Sequence, residues 1–207
     1  MHQKRWFSVV YMFLVTAFFS SIVIGFAQFT SKTVQVNEKL AFEKAVLTVL
    51  PGLYSDEASR LELHRTFIER VTEPDDLSAG AYTLRENGKI VAYALPMSGQ
   101  GFWAPIKGVI GIKADKKTTT AIAFYEQNET PGLGAEITKP AFKSQFEGKV
   151  ISGSDKPLSI IRPSEELGSS EVHAIAGATQ TSVRLEKIIN TALSNWQSQV
   201  DIKGAEE

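Results

Sequence analysis

From Phe7 to Phe29 no charged side chain interrupts a run of mostly apolar residues, with Lys4 and Arg5 ahead of it and Lys32 after it. Coiled as a helix at about 1.5 Å per residue, the run spans roughly 34 Å, enough for the ~30 Å hydrocarbon core of a bilayer. It is expected to cross the membrane. A cleavable signal peptide shares the basic start, and Gly25-Phe26-Ala27 offers it a small-x-small site. Its apolar region normally stops at about 15 residues, however, so the length favours an uncleaved anchor. With Lys4 and Arg5 on the short flank, the positive-inside rule leaves the amino terminus cytoplasmic and the bulk of the chain on the other side.

Beyond Lys32 the periodicity changes several times. Leu40, Ala41, Val46, Leu47 and Leu50 recur at helical intervals over Val36 to Leu50, and Pro51-Gly52 breaks that stalk helix. A second helix is predicted from Glu57 to Val71, carrying Leu61, Leu63, Phe67, Ile68 and Val71 among alternating charges. Tyr82 to Arg85 and Ile90 to Ala94 flank Asn87-Gly88, a strong hairpin signal. Val109 to Lys113 and Thr119 to Tyr125 form another strand pair around the polar turn Ala114 to Lys117. A short helix is expected from Pro140 through Phe146, irregular chain from Gly148 to Ser170, and a last helix from Val183 to Val200. Leu185, Ile188, Ile189, Ala192, Leu193 and Trp196 give that helix one apolar face. The fold class that follows is α+β: an N-terminal transmembrane helix, then an antiparallel sheet flanked by helices.

Composition narrows the function. The chain has 207 residues, with 22 Lys and Arg against 23 Asp and Glu, a formal net charge of −1. No basic surplus recommends nucleic acid as a partner. There is no cysteine, which excludes disulfides, thiolate-bound iron–sulfur clusters and a cysteine nucleophile. Redox chemistry, if present, is left to an organic cofactor. The three histidines, His2, His64 and His173, are scattered and suggest no metal site.

Two short motifs carry candidate chemistry. Glu129-Thr130-Pro131-Gly132-Leu133-Gly134 follows a predicted strand, and a proline with two glycines allows a loop to lie flat against a ring system with its N–H groups turned outward. The same composition makes an ordinary turn. In Gly177-Ala178-Thr179-Gln180-Thr181-Ser182, small residues precede a hydroxyl at the approach to a helix, whose N-terminus favours phosphate. Thr179 is thus a candidate anchor for a phosphate-bearing cofactor, while helix capping by Thr179, Thr181 or Ser182 is the commoner use of such residues. Phe102 and Trp103 are candidates to cover a bound ring or to fill the sheet's core. Lys107 and Arg162 are candidates to neutralise phosphate, or simply solvated charges.

Glu-Thr-Pro-Gly-Leu-Gly followed at a distance by Gly-Ala-Thr-x-Thr-Ser closely resembles the FMN-binding domain shared by the C subunit of the sodium-translocating NADH:quinone oxidoreductase and the G subunit of the Rnf electron-transport complex. Gly99-Gln100-Gly101-Phe102-Trp103 and Phe124-Tyr125-Glu126 look nearer to the former. The resemblance covers most of residues 30–200. It implies FMN held covalently through a phosphoester on Thr179, installed by a flavin transferase, and passing single electrons within a membrane complex. Gly177, Ala178, Thr181 and Ser182 would surround the attachment point. Thr130 and Leu133 would lie against the isoalloxazine ring, with Glu129, Gly132, Gly134 and Trp103 around it. No catalytic residue and no metal ligand is implied, and no complete activity is expected of the isolated chain.

The implied organisation is a cytoplasmic N-terminus and membrane helix (1–31), a stalk with N-terminal helices (32–80), an FMN-binding domain (81–200) and a tail (201–207). The implied partners are other subunits of the complex and the lipid around residues 7–29 of a bacterial inner membrane, with the main domain periplasmic. An Rnf-type G subunit, or a membrane-anchored flavin sensor, are the alternatives. One departure bears on flavin attachment: His173-Ala174-Ile175-Ala176 replaces the acidic-Gly and Ser or Thr pattern usual before Gly-Ala-Thr.

Overall fold

A computed structural model describes residues 2–153 and 156–204. The chain divides into two compact units, 1–39 and 40–207. The described residues of the first are all helical, part of α1 (His2–Val49). Trp6–Val49 contains a window of mean hydropathy 2.2 with none of it buried, long and apolar enough to cross a membrane.

In the second unit α1 continues to Val49, so the predicted stalk helix is its last part and not a separate element. α2 (Arg60–Arg70) is shorter than the periodicity suggested. Ser59 caps it in a reciprocal capping box, its hydroxyl accepting from the Glu62 N–H while the Glu62 carboxylate accepts from the Ser59 N–H. Two orphan N–H groups are satisfied there, which places the helix start after Glu57. At the other end Val71 is already extended, opening β1 (Val71–Thr72).

β1, β2 (Tyr82–Glu86), β3 (Lys89–Gln100), β4 (Pro105–Lys113) and β5 (Thr119–Glu126) form an antiparallel five-stranded sheet in chain order. β3 outruns its predicted end at Ala94 and passes through Pro96. That proline is tolerated because β2 pairs with β3 only as far as Ala94, so the side lacking an N–H has no ladder to complete. A 3₁₀ turn (Gly134–Thr138) and α3 (Pro140–Lys143) follow. Within the stretch expected to be irregular lies β6 (Ser159–Ile161), which pairs in parallel with β7 (Glu171–His173) just beyond it. α4 (Thr179–Gly204) starts a turn earlier than the predicted Val183 and runs into the expected tail; residues 205–207 lie outside the described residues.

The sheet is covered on both faces. Tyr93, Leu95, Met97, Ile106, Ile110, Ile112 and Ile122 pack against Leu185, Ile188, Ile189, Leu193 and Trp196 of α4. Ala92, Ala94, Val109 and Ala123 pack against Ala45, Val46, Leu47 and Val49 of α1 and Leu50 just after it, with Leu63 and Phe67 of α2 alongside. α4 is tied to β6 by polar bonds: the Asn190 side chain donates to the Leu158 carbonyl and accepts its N–H, both at 2.8 Å, and Glu186 Oε2 accepts from Ile160 N–H at 2.6 Å. These bonds fix the N-terminal half of α4 against β6 and the residue before it.

Candidate functional site

Three segments distant in sequence converge on one cleft of about 340 Å³, within the size range of small-molecule sites. The glycine loop forms one wall, with Glu129, Thr130, Leu133 and Gly134 lining it. Gly132 does not line the cleft; its φ of +75° turns the chain so that the N–H groups of Leu133 and Ala135 both donate to the Thr130 carbonyl at 3.1 Å. The side chains of Thr130 and Leu133 remain exposed.

The second wall is the head of α4, with Gly177, Ala178, Thr179, Gln180 and Thr181. Gly177 takes φ +77°, and a Cβ there would also stand 3.2 Å from Leu133 Cδ2. Ser182 is the first residue to donate to an i−4 carbonyl, that of Ala178 at 3.0 Å. The N–H groups of Thr179, Gln180 and Thr181 therefore precede the helical ladder and face the end of the helix where negative charge is stabilised. Thr179 is exposed at that end, on the helix and not ahead of it as the sequence suggested. The other two hydroxyls are occupied elsewhere. Buried Thr181 donates to Glu129 Oε2 at 2.7 Å, and buried Ser182 accepts the Ile175 N–H at 3.3 Å. Ser182 thus steadies the turn before the helix without lining the cleft.

The third wall is the β3–β4 connection. Phe102 and Trp103 do not fill the core: they stand 43% and 65% exposed, rings 4.9 Å apart and edge to face. Trp103 Nε1 donates to Thr130 Oγ1 at 3.1 Å, fastening the indole to the glycine loop.

Sequence reasoning missed what joins these walls. The Glu129 carboxylate is buried, 5% exposed. Its Oε1 accepts the N–H groups of Phe102 (2.8 Å) and Trp103 (3.2 Å), while Oε2 takes the Thr181 hydroxyl. Two glycines make room for it. A Cβ on Gly101 would approach Oε1 to 2.5 Å, and one on Gly134 would approach Oε2 to 2.8 Å and Thr181 Oγ1 to 2.5 Å. Gly101, Glu129, Gly134 and Thr181 are legible as residue types in the chain, but only their contact shows that they form one unit.

The suggested cations do not reach the site. Lys107 Nζ pairs with Glu126 Oε2 at 2.6 Å across β4 and β5, and neither Lys107 nor Arg162 lines the cleft. Electrostatic help for an anion comes from the helix N-terminus. The departing segment before Gly177 is ordered by its own bonds: the His173 N–H donates to Gln145 Oε1 at 2.7 Å, the Ala174 N–H to the Ile161 carbonyl at 2.7 Å, and the Ala178 N–H to the Ile175 carbonyl at 3.1 Å. His173 Nε2 lies 2.9 Å from the Glu165 carbonyl, a structural position. A larger cleft, about 740 Å³, opens between the end of α1 and α3 and contains none of the motif residues.

Residues 101–194 match the FMN-binding domain family. The C subunit of the Na(+)-translocating NADH-quinone reductase of Vibrio alginolyticus is 33% identical over 108 residues, covering 51% of this chain and 42% of that protein. The corresponding protein of Neisseria meningitidis serogroup A is 27% identical over 216 residues, covering 82% of each. Against the first relatives the matched part spans well under half their length, 42% for Vibrio alginolyticus and 35% for Chlamydia pneumoniae. The crystal structure of the C subunit from Parabacteroides distasonis superposes with a TM-score of 0.67 at 24% identity, covering 82% of this chain and 96% of that one. At that identity the likeness speaks for the fold: an antiparallel sheet with helices, α+β as expected. The resemblance read from the two motifs, nearer to the C subunit of the reductase, is borne out.

Proposed function

We propose that this chain is a membrane-anchored flavoprotein subunit that carries FMN on Thr179 through a phosphoester and passes single electrons within an ion-translocating NADH:quinone oxidoreductase. The observation that carries this reading is the cleft itself. An exposed threonine hydroxyl, the free N–H groups of a helix N-terminus and a glycine-rich loop beside an exposed indole meet in one space.

The donor set fits the group. A phosphate on Thr179 Oγ1 would be held by the positive end of α4, a placement worth about 0.3–1 kcal/mol at an exposed helix terminus. Ala178 and Gly177 leave the hydroxyl open to a flavin transferase, and Leu133, Thr130 and Trp103 supply apolar and hydrogen-bonding surface for a flat ring. When bound, FMN supplies the one-electron chemistry; the residues around the cleft hold it, limit water and tune its potential. The assembly would supply the electron donor, the acceptor and the ion path, since the span from Phe7 to Phe29 carries no ionisable group suited to conduction. The length and apolar character of α1 support the anchor, and its apolar part would lie in a bacterial inner membrane with the domain on the periplasmic side. Between the related complexes, the matches to the C subunit favour the NADH:quinone oxidoreductase over the Rnf complex.

Co-production of the full chain with a flavin transferase tests the attachment. Flavin fluorescence should survive on a denaturing gel, mass spectrometry should find FMN on the peptide holding Thr179, and Thr179→Ala should lose both signals while remaining folded. An unmodified peptide, or undiminished fluorescence in the variant, overturns the proposal.

A further inference from the structure

We infer that Glu129 is the positioning residue of this cleft: a buried carboxylate that clamps the three walls together and sets a fixed negative charge beside the space the flavin would take. The inference rests on the flavin reading for the role of the charge, but not for the clamp.

The geometry separates Glu129 from an ordinary loop residue. Its two oxygens face only donors: the Phe102 and Trp103 N–H groups on one, the Thr181 hydroxyl on the other. These partners lie 26 to 52 residues away in sequence, on the β3–β4 connection and on α4. One side chain thus spans every segment that lines the cleft. Hydrogen bonds to a charged group are roughly twice as strong as the neutral kind. Among the described residues the loop holding Trp103 is otherwise tied by the Gly101 N–H bond to the Ala104 carbonyl at 2.9 Å, the indole bond to Thr130 and the contact of the Phe102 and Trp103 rings. Without the carboxylate, the part-buried N–H groups of Phe102 and Trp103 lose their acceptor and the aromatic wall is free to move.

The second consequence is electrostatic. Glu129 itself lines the cleft, and none of the other lining residues is charged. A negative charge in a poorly solvated place opposes the arrival of another. Reduction adds negative charge to a flavin, so the carboxylate would hold the reduction potential low. A neutral amide of the same shape separates this effect from the clamp: in Glu129→Gln the side-chain oxygen still accepts from Phe102 and Trp103, and the Thr181 hydroxyl can turn to accept from the new NH₂ group.

The experiment compares the full-length parent chain with Glu129→Gln, Glu129→Ala and Thr181→Val by amide hydrogen exchange without flavin and by redox titration after flavin loading. Glu129→Ala should speed exchange at Phe102 and Trp103 by tenfold or more, and Glu129→Gln should largely keep their protection. Thr181→Val should loosen the head of α4 with little change at Phe102. In the loaded protein Glu129→Gln should raise the reduction potential, increasing the reduced-to-oxidised ratio at fixed poise by at least about tenfold, since at an effective dielectric near 20 one unit charge has that effect even from about 12 Å and a larger one from closer. Unchanged protection in Glu129→Ala overturns the clamp. An unchanged ratio in a protected Glu129→Gln overturns the charge's role. A parent chain that takes up no flavin overturns the proposed function and the charge's role together, while the exchange data still decide the clamp.

Discussion

The two faces of the five-stranded sheet are packed by different means. Toward α4 the sheet presents Ile106, Ile110, Ile112, Ile122, Leu95 and Met97, large side chains meeting large ones, with Trp196 against Tyr93 at 5.2 Å between ring centroids. Toward α1 it presents Ala92, Ala94, Ala123 and Gly111, and the helix comes close enough that a Cβ on Gly111 would stand 2.5 Å from the Val49 carbonyl oxygen. The larger side chains on this side are Leu84 and Val109 of the sheet and an aromatic group in which Phe42 meets Tyr82 and Tyr125 at 5.3 and 5.4 Å. The cleft belongs to the α4 side alone, because its second wall is the first turn of that helix. Damage to the α4 face should therefore reach the site, whereas damage to the α1 face should cost stability and leave the site's chemistry in whatever remains folded.

The largest break in this contrast is Trp196→Ala. The indole is almost fully buried and its Nε1 donates to the Ser78 carbonyl at 2.9 Å. Truncation should cost about 3–5 kcal/mol by chemical denaturation and lower flavin loading as α4 loosens. Full loading at that loss of stability would sever the link between helix packing and site. Gly111→Ala on the opposite face should cost about 1–3 kcal/mol through overpacking, with loading per folded molecule unchanged. Third comes His64→Ala, again on the α1 side. His64 Nδ1 lies 2.8 Å from Oε2 of Glu43, a buried carboxylate. Removing the imidazole should destabilise by about 1–3 kcal/mol, measured by the same denaturation series, with no change in the flavin's potential.

The smallest effect concerns acid. Partial burial pushes the Asp75 carboxyl up, but the Ser78 N–H and hydroxyl and the nearby Arg85 guanidinium outweigh it and hold the group below its usual range. A folded value below the unfolded one, near 3.9, gives stability that is present above about pH 4 and lost as pH falls through the lower folded value. This turn also presents the Ser78 carbonyl that receives Trp196. Acid should thus loosen the α4 side first, seen as a small change in near-ultraviolet tryptophan dichroism, and Asp75→Asn should flatten that dependence. An unaltered pH profile in the variant would detach Asp75 from the effect.

Much of this was readable in the chain, for physical reasons that differ by region. The apolar run from Phe7 to Phe29 and the 3.6-residue pattern of α4 are local signals, repeated over many residues, so their type was plain although their ends were not. Ser59-Arg60-Leu61-Glu62 carries the capping box that marks the start of α2, a signal as local as the Asn87-Gly88 turn. β1 and β6 offer too few residues for a period to show, and β3 crosses Pro96 only because β2 has already ended beside it. The two motifs announced a loop and a hydroxyl, and the hydrophobic pattern announced layers around a sheet.

What the chain alone determined, then, is whatever depends on neighbours in sequence: helix and strand periodicity, turn chemistry, the absence of cysteine, and the hydroxyl of Thr179 close to a helix start. What only the tertiary structure decided is whatever depends on residues brought together from afar. It made Glu129 a buried bridge, gave Thr181 and Ser182 partners of their own, turned Lys107 toward Glu126, and left Trp103 at the cleft's edge. Hydrogen-bond acceptors and charges act over a few ångströms in space, and a sequence fixes spacing along the backbone without saying which distant donors will arrive within that reach.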